Sequence, residues 1–353
     1  MQTESVELGF LSIFALISFF IFLLVEKYSN KPNISILKDD DFLKPQSFHN
    51  LPVARSGGIG CIFSLVIFLF IYKLLYSEFL FEYFFIGLSL FLIGYLDDIK
   101  IKISPSSRLI LMSTSLILFV SFFSIKIQNV DVIFLNFWLE NLIFSSLFVT
   151  LCFLFIINGA NLIDGFNGLL AINLIIINSI LLFLNLSNNH LEFSFFLTGQ
   201  IIILISFLLF NFPKAKIFFG DSGSYFFGSL IALNIIYTNN LNPDVSSFFY
   251  CILLFYLFFE VFFSFTRKIY LKRSPVLPDN EHLHMLSYKK INTVVEPAKS
   301  NYLNSIIINV VYLVLILPSI YFMNNSLVCK TLFFFLTIIY CLVYLRLYRL
   351  TKN

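Results

Sequence analysis

The chain has 353 residues, of which 59% are hydrophobic and only 12% charged, with a formal net charge of +3. Soluble globular domains carry charged residues at close to ~25%, so this balance, with a mean hydropathy of +0.90, excludes a soluble fold. Five cysteines (Cys61, Cys152, Cys251, Cys329 and Cys341) lie in or beside apolar segments without a CxxC pair, which argues against disulfides, zinc and iron–sulfur clusters.

In chain order, eleven apolar stretches fall at about 8–25, 57–76, 80–96, 106–124, 141–157, 168–186, 193–210, 222–238, 247–266, 302–322 and 328–346. Each is long enough to cross a hydrocarbon core of ~30 Å. Residues 131–136 read as a short strand or helix between the fourth and fifth stretches. Glu4 and Glu7 precede the first stretch and Lys27 follows it. That charge order is the reverse of a cleaved signal peptide, so a permanent helix with its N-terminus outside is expected.

Alternating sides from there places 20 of the 23 lysines and arginines inside: five in 26–56, three in 97–108, two in 211–220, seven in 267–300 and three in 346–353. Lys73, Lys126 and Lys330 fall outside. The positive-inside rule then orients the chain. The expectation is an all-α polytopic membrane protein of about 11 transmembrane helices, one domain over 1–353. Its N-terminus is periplasmic, its C-terminus cytoplasmic, and its active-site cleft is on the cytoplasmic face. The inside loops, at about 26–56, 97–105, 158–167, 211–221 and 267–300, hold nearly all the unusual polar chemistry, and no internal repeat is visible. One-sided chemistry without related halves favours an enzyme over a non-enzymatic transporter.

Asp97 and Asp98 end the third stretch in GYLDDIKIKISPSSR, with Arg108 ten residues on. Adjacent carboxylates repel, which suits metal binding or a general base, and equally a solvated helix end. NGANLIDGFNGLL sets Asn158, Asn161, Asp164 and Asn167 three apart, near one face of a helical turn. NFPKAKIFFGDSGSYFFG places Asn211, Lys214, Lys216 and Phe218 before Asp221, which is held between Gly220 and Gly223 at a helix start. A carboxylate there suits Mg²⁺ bridging phosphates, although such a string also serves as a plain turn. KPQSFHNLPVARSGGIG joins Lys44, His49 and Arg55 to a glycine-led helix start suited to an anion or to close packing. PDNEHLHML carries His282 and His284, and Glu260 is a costly charge inside the ninth stretch that is expected to face the bundle. Together these clusters supply the groups that a metal-bound nucleotide diphosphate needs, within reach of a lipid acceptor.

The strings KPQSFH…ARSGGIG, LDDIKIKISPSSR, NGANLIDGFNGL, NFPKAKIFFGDSGS and HLHM run in order from Lys44 to beyond His284. The set resembles the polyprenyl-phosphate N-acetylhexosamine-1-phosphate transferase superfamily, glycosyltransferase family 4, and the layout resembles its bacterial UDP-HexNAc branch. The resemblance implies transfer of HexNAc-1-phosphate from a UDP-N-acetylhexosamine to undecaprenyl phosphate, with Mg²⁺ (or Mn²⁺ in its place) as cofactor. The products would be undecaprenyl-diphospho-HexNAc and UMP. Such a step initiates O-antigen or other envelope glycans at a bacterial inner membrane. The implied partners are the two substrates and the bilayer, with no nucleic acid and a homodimer left open. On the family pattern Asp221, with Asn161, is the metal site, and Asp97 and Asp98 are catalytic. Asn158, Asp164, Asn167, Asn211 and Phe218 hold the nucleotide. Lys44, His49, Arg55, Arg108, His282 and His284 hold phosphate or sugar. Asn167 stands where many relatives have Asp, Arg108 where Lys is common, and Met285 where the usual string has a last His. Lacking a His-His-His run, the chain ranks the phospho-MurNAc-pentapeptide branch second.

Overall fold

A computed structural model describes residues 2–29, 31, 37–39, 52–101, 103–275, 277 and 279–352. Lys44 and His49 lie outside the described residues. In chain order α1 (Gln2–Ser29) is followed by β1 (Lys38–Asp39), β2 (Val53–Arg55), α2 (Gly57–Tyr76), α3 (Phe81–Asp98), α4 (Pro105–Phe122), α5 (Ile133–Leu139) and α6 (Leu142–Ile163). Then come α7 (Leu169–Ser187), α8 (Leu191–Asn211), β3 (Ile217–Phe218), α9 (Gly220–Leu241), α10 (Ser247–Leu253) and α11 (Phe255–Tyr270). The last helices are α12 (Leu283–Ile291), α13 (Pro297–Tyr321) and α14 (Ser326–Lys352). The all-α polytopic expectation holds, and the short segment after Asp131 is the helix α5.

The count of spans is lower than expected when judged by length and composition. Eight described helices qualify alone (α1, α2, α4, α6, α7, α8, α13 and α14), and α10 with α11, bent by 76° at their junction, form a broken span or a re-entrant loop that brings the count to nine at most. The two expected stretches that fall short are α3 and α9. Glu82, Asp97 and Asp98 load α3 with charge, and α9 is rich in Gly, Ser and Asn. Both are nonetheless long helices within the bundle.

Local signals set several helix starts. Asn141 accepts from the backbone N–H groups of Ile143 and Phe144 at 3.0 Å, and Ser104 caps α4 ahead of Pro105 at its first position. Small residues then decide which helices meet. α9 is buried along nearly its whole length, with α2, α3, α6 and α7 around it. A Cβ on Gly94 of α3 would lie 2.4 Å from the Asp221 carbonyl oxygen, so the two backbones touch there. That crossing sets Asp97 and Asp98, one turn further on, against the first residues of α9.

Buried amides add hydrogen bonds between helices. Asn234 of α9 donates to Asn178 of α7 at 2.9 Å and to Gln200 of α8 at 2.8 Å. Such bonds inside membrane bundles average about 0.6 kcal/mol each.

The bundle has two knitted ends. At one, Asn188 donates to Asn242, and the Ser246 N–H donates to the Met323 carbonyl. At the other lie the C-terminal ends of α3, α6 and α8, the N-terminal ends of α2, α4, α7 and α9, and a small sheet. β1 pairs antiparallel with β2, and β2 pairs parallel with β3, Arg55 standing opposite Phe218.

Candidate active site

The sheet end holds a solvent-open cleft of about 740 Å³. Each strand lends it one residue: Asp39 from β1, Arg55 from β2 and Phe218 from β3. Strand alternation explains the set, because Asp39 pairs with Val53 and Arg55 lies two residues beyond Val53, on the same face. Asn161, Asp164, Gly165 and Phe166 at the end of α6, Asn211 of α8, Gly220 and Asp221 of α9, and Met285 of α12 complete much of the lining.

Asp221 is the hub. Its Oδ2 receives Arg108 Nη1 at 2.7 Å and its Oδ1 receives Asn161 Nδ2 at 3.1 Å. The same Arg108 nitrogen lies 3.2 Å from Asp97 Oδ2, so one cation joins α3 to α9. Asn161 also donates to Ser224 Oγ at 3.1 Å, which fixes the amide's orientation. Tyr225, one turn after Asp221, reaches it at 3.5 Å.

Asp98 plays a different part. Its two carboxylate oxygens accept the backbone N–H groups of Asp221 at 3.0 Å and Ser222 at 2.9 Å, capping α9 from another helix. Gly220 is required beside it, with φ of 76°, and an added Cβ would lie 2.6 Å from Asp98 Oδ2. The Asp98 side chain is 0% exposed, whereas that of Asp97 keeps 29%. Of the adjacent pair, Asp97 is the accessible carboxylate.

Arg55 donates through Nε (3.1 Å) and Nη2 (2.7 Å) to Asp39 Oδ2, and its Nη1 lies 4.0 Å from Asp98. Burial alone would lower the Arg55 guanidinium, but Asp221, Asp39 and Asp98 outweigh it and hold the group charged. Asp164 lies just past α6. Burial first, and then the neighbouring Asp221 carboxylate, push its carboxyl well above the usual range.

Asp97, Asp98, Arg55, Arg108, Asn161, Asp164, Asn211, Phe218 and Asp221 therefore gather at one end of the fold. Asn211 lines the cleft, yet its amide is spent on main chain, donating to the Ile217 carbonyl at 2.9 Å and accepting the Gly168 N–H at 2.7 Å. Four other expected site residues are, like Asp97, Asp98 and Arg108, not among those that line the cleft. Asn158 turns its amide back to the Leu154 carbonyl at 2.7 Å, and Asn167 donates to the Pro213 carbonyl at 2.9 Å. Neither is among the cleft-lining residues. His282 is 2% exposed, with Nδ1 3.1 Å from Glu260 and Nε2 3.2 Å from Asp279. His284 is 0% exposed, lying against Tyr256 and against the ring of Phe166. The pair stacks in parallel behind the cleft wall, where Phe166 and Met285 face the opening. A period-three pattern marks helical faces well, but the α6 helix ends at Ile163 and breaks the pattern before Asn167.

Sequence reasoning passed over Asp39, Phe166 and Tyr225. Asp39 opens an acidic run, Asp39 to Asp41, just before the basic segment, and Tyr225 follows Asp221 by four residues. Both signals were available in the sequence.

A family model described as Glycosyl transferase family 4 matches residues 80–239. A phospho-N-acetylmuramoyl-pentapeptide-transferase of Dictyoglomus thermophilum is 31% identical over 303 residues, covering 79% of this chain and 90% of the relative. The chain belongs to glycosyl transferase family 4. An undecaprenyl-phosphate alpha-N-acetylglucosaminyl 1-phosphate transferase of Thermotoga maritima is 27% identical over 283 residues, 78% of this chain and 80% of that relative. A probable undecaprenyl-phosphate N-acetylglucosaminyl 1-phosphate transferase of Bacillus subtilis is 33% identical over 132 residues, 36% of each chain. Family 4 membership makes the protein a membrane glycosyl-1-phosphate transferase. The matched segment 80–239 contains Asp97, Asp98, Arg108, Asn161, Asp164 and Asp221.

Proposed function

We propose that the protein transfers HexNAc-1-phosphate from a UDP-N-acetylhexosamine to undecaprenyl phosphate, on the cytoplasmic face of a bacterial inner membrane, through eleven spans. The observation that carries this reading is the convergence of Arg108 and Asn161 on Asp221, with Asp97 held by the same Arg108, four helices meeting beside the cleft that Asn161 and Asp221 line. The 20 inside-assigned basic residues of the positive-inside reading support the orientation.

In the proposed reaction an oxygen of the lipid phosphate attacks the β-phosphorus of the UDP-sugar. The bond from that phosphorus to the bridging oxygen breaks, and UMP leaves with the bonding pair. Asp97, the accessible carboxylate, takes the proton of the attacking lipid phosphate. Arg55 and Arg108 offset the charge of the diphosphate, and Phe218 offers an aromatic face to the base. Asp98 holds the start of α9 in place by capping it.

The residues fit a magnesium ion. Asp221 and nearby Asp164 offer carboxylate oxygens, and Asn161, whose amide nitrogen donates to Asp221, would bring its carbonyl oxygen to the ion by turning the amide over. Among the described residues no three His, Cys, Asp or Glu groups form a ready-made metal cage. Magnesium is commonly held by one or two carboxylates plus substrate oxygens and water. Asp221 and Asn161 would hold Mg²⁺, which when bound neutralises charge on the diphosphate.

The extent of the match to the Dictyoglomus relative favours a second reading, phospho-MurNAc-pentapeptide transfer by the same chemistry. UMP release from a panel of UDP-sugars by purified protein, with undecaprenyl phosphate and Mg²⁺, separates the two. The proposal expects turnover of a UDP-N-acetylhexosamine and little of UDP-MurNAc-pentapeptide; the reverse ranking would select the second reading. Movement of lipid-linked sugar across a vesicle with no UMP formed would instead support a transporter.

A further inference from the structure

Asp39 has no part in the chemistry above, yet it lines the cleft beside its partner Arg55. Arg55 offers its Nε and Nη2 to a single oxygen of Asp39 and leaves Nη1 on the side of Asp98, at 4.0 Å. The first two contacts are short, and the third is loose enough for an anion to replace it. Both side chains are largely enclosed, Arg55 at 22% exposure and Asp39 at 11%, so solvent screens the pair only partly. Their backbones are tied as well, by the β1–β2 pairing and by the Arg55 N–H donating to the Leu37 carbonyl at 2.9 Å. A guanidinium is planar and its donors are fixed relative to one another. Anchoring two of its nitrogens therefore sets the direction of the third.

We propose that Asp39 is a positioning residue that clasps Arg55 so that Nη1 is presented to a diphosphate in the cleft. The inference rests on the transferase reading and extends it to a residue of β1. A lysine at position 55 has no second nitrogen for such a clasp, so Arg55→Lys resembles Arg55→Ala more than it resembles wild type. A carboxylate that merely competed with substrate for Arg55 would have the opposite effect on removal, tightening anion binding.

The test is titration calorimetry with inorganic pyrophosphate on the detergent-solubilised full chain. It compares wild type, Asp39→Ala, Asp39→Asn, Asp39→Glu, Arg55→Ala and the double variant Asp39→Ala/Arg55→Ala. The expected result is about tenfold weaker binding for Asp39→Ala and for Arg55→Ala, no further loss in the double variant, and partial recovery in Asp39→Glu. Asp39→Asn keeps the side-chain shape and serves if Asp39→Ala does not accumulate. Wild-type affinity in the Asp39 variants, tighter binding, or losses that multiply in the double variant would each overturn the clasp. UMP release on the same samples separates the two claims. Wild-type turnover with no Asp39 effect on pyrophosphate refutes only the clasp. An Asp39 effect without any wild-type turnover refutes only the transferase reading. A purely structural role would lower thermal stability without moving donor KM, whereas the clasp predicts a raised KM with kcat changed less.

Discussion

Asp97 and Asp98 are neighbours in sequence and differ in everything a carboxylate can do. Asp98 is sealed in and spends both oxygens on the first N–H groups of α9, while Asp97 keeps an open face beside Arg108. Replacing Asp98 by Asn leaves one good acceptor for two donors and removes the charge at a helix N-terminus. The loss is roughly 1–3 kcal/mol of stability. Replacing Asp97 by Asn leaves that cap intact and removes the proposed base, for a loss of about a hundredfold or more in turnover. Thermal unfolding in detergent, read beside UMP release, should therefore show Asp98→Asn as the less stable variant and Asp97→Asn as a stable, inactive one. Equal stability losses in both would contradict the division of labour. The adjacency of the pair was plain in the sequence. Its asymmetry was not, because it depends on which carboxylate the α3–α9 crossing at Gly94 turns inward.

At the scale of elements, α12 is held by a buried charge of the apolar helix α11. Glu260 Oε1 accepts both the His282 ring at 3.1 Å and the Leu283 N–H at 3.1 Å, and Tyr340 of α14 donates to Oε2 at 2.5 Å. This is the second carboxylate in the fold to cap another helix, and it answers the expectation that Glu260 faces the bundle. His284 lies in the first turn of α12. Burial, resisted by Glu260 and assisted by His282, pushes its imidazole down to about 3. That value is below the unfolded ~6.5. Between the two, the unfolded chain binds a proton that the folded chain does not. The stability associated with neutral His284 is thus full above pH ~6.5 and falls as pH drops toward the folded value. The loss amounts to about 2 kcal/mol between pH 6.5 and 5. The thermal midpoint of wild type should fall over that interval by more than that of His284→Gln; parallel curves would place the ring in contact with water. The motif strings give the spacing of this His pair and not its depth. An interior carboxylate twenty-two residues away decides where the rings go.

For the molecule as a whole, hydropathy located eleven helical stretches because a long continuous apolar run is a strong signal that needs no periodicity. α3 and α9 lie at the edge of that signal, since the residues that weaken their apolarity are those that build the site and let their backbones meet. The sheet was invisible beforehand. Strands of two and three residues carry too little alternation to detect, and with them went Asp39 and the shared face of Asp39, Arg55 and Phe218. What sequence order does carry is the set of connections that supply the site, and the fold brings four of them to Asp221. Lipid-dependent UMP release by purified wild type and Asp221→Ala tests that convergence most directly. With a UDP-N-acetylhexosamine, undecaprenyl phosphate and Mg²⁺, the wild type should release UMP, and should stop when the lipid is withheld. Asp221→Ala, folded as judged by its thermal transition, should release none. Asp221→Ala turning over at the wild-type rate would contradict the account.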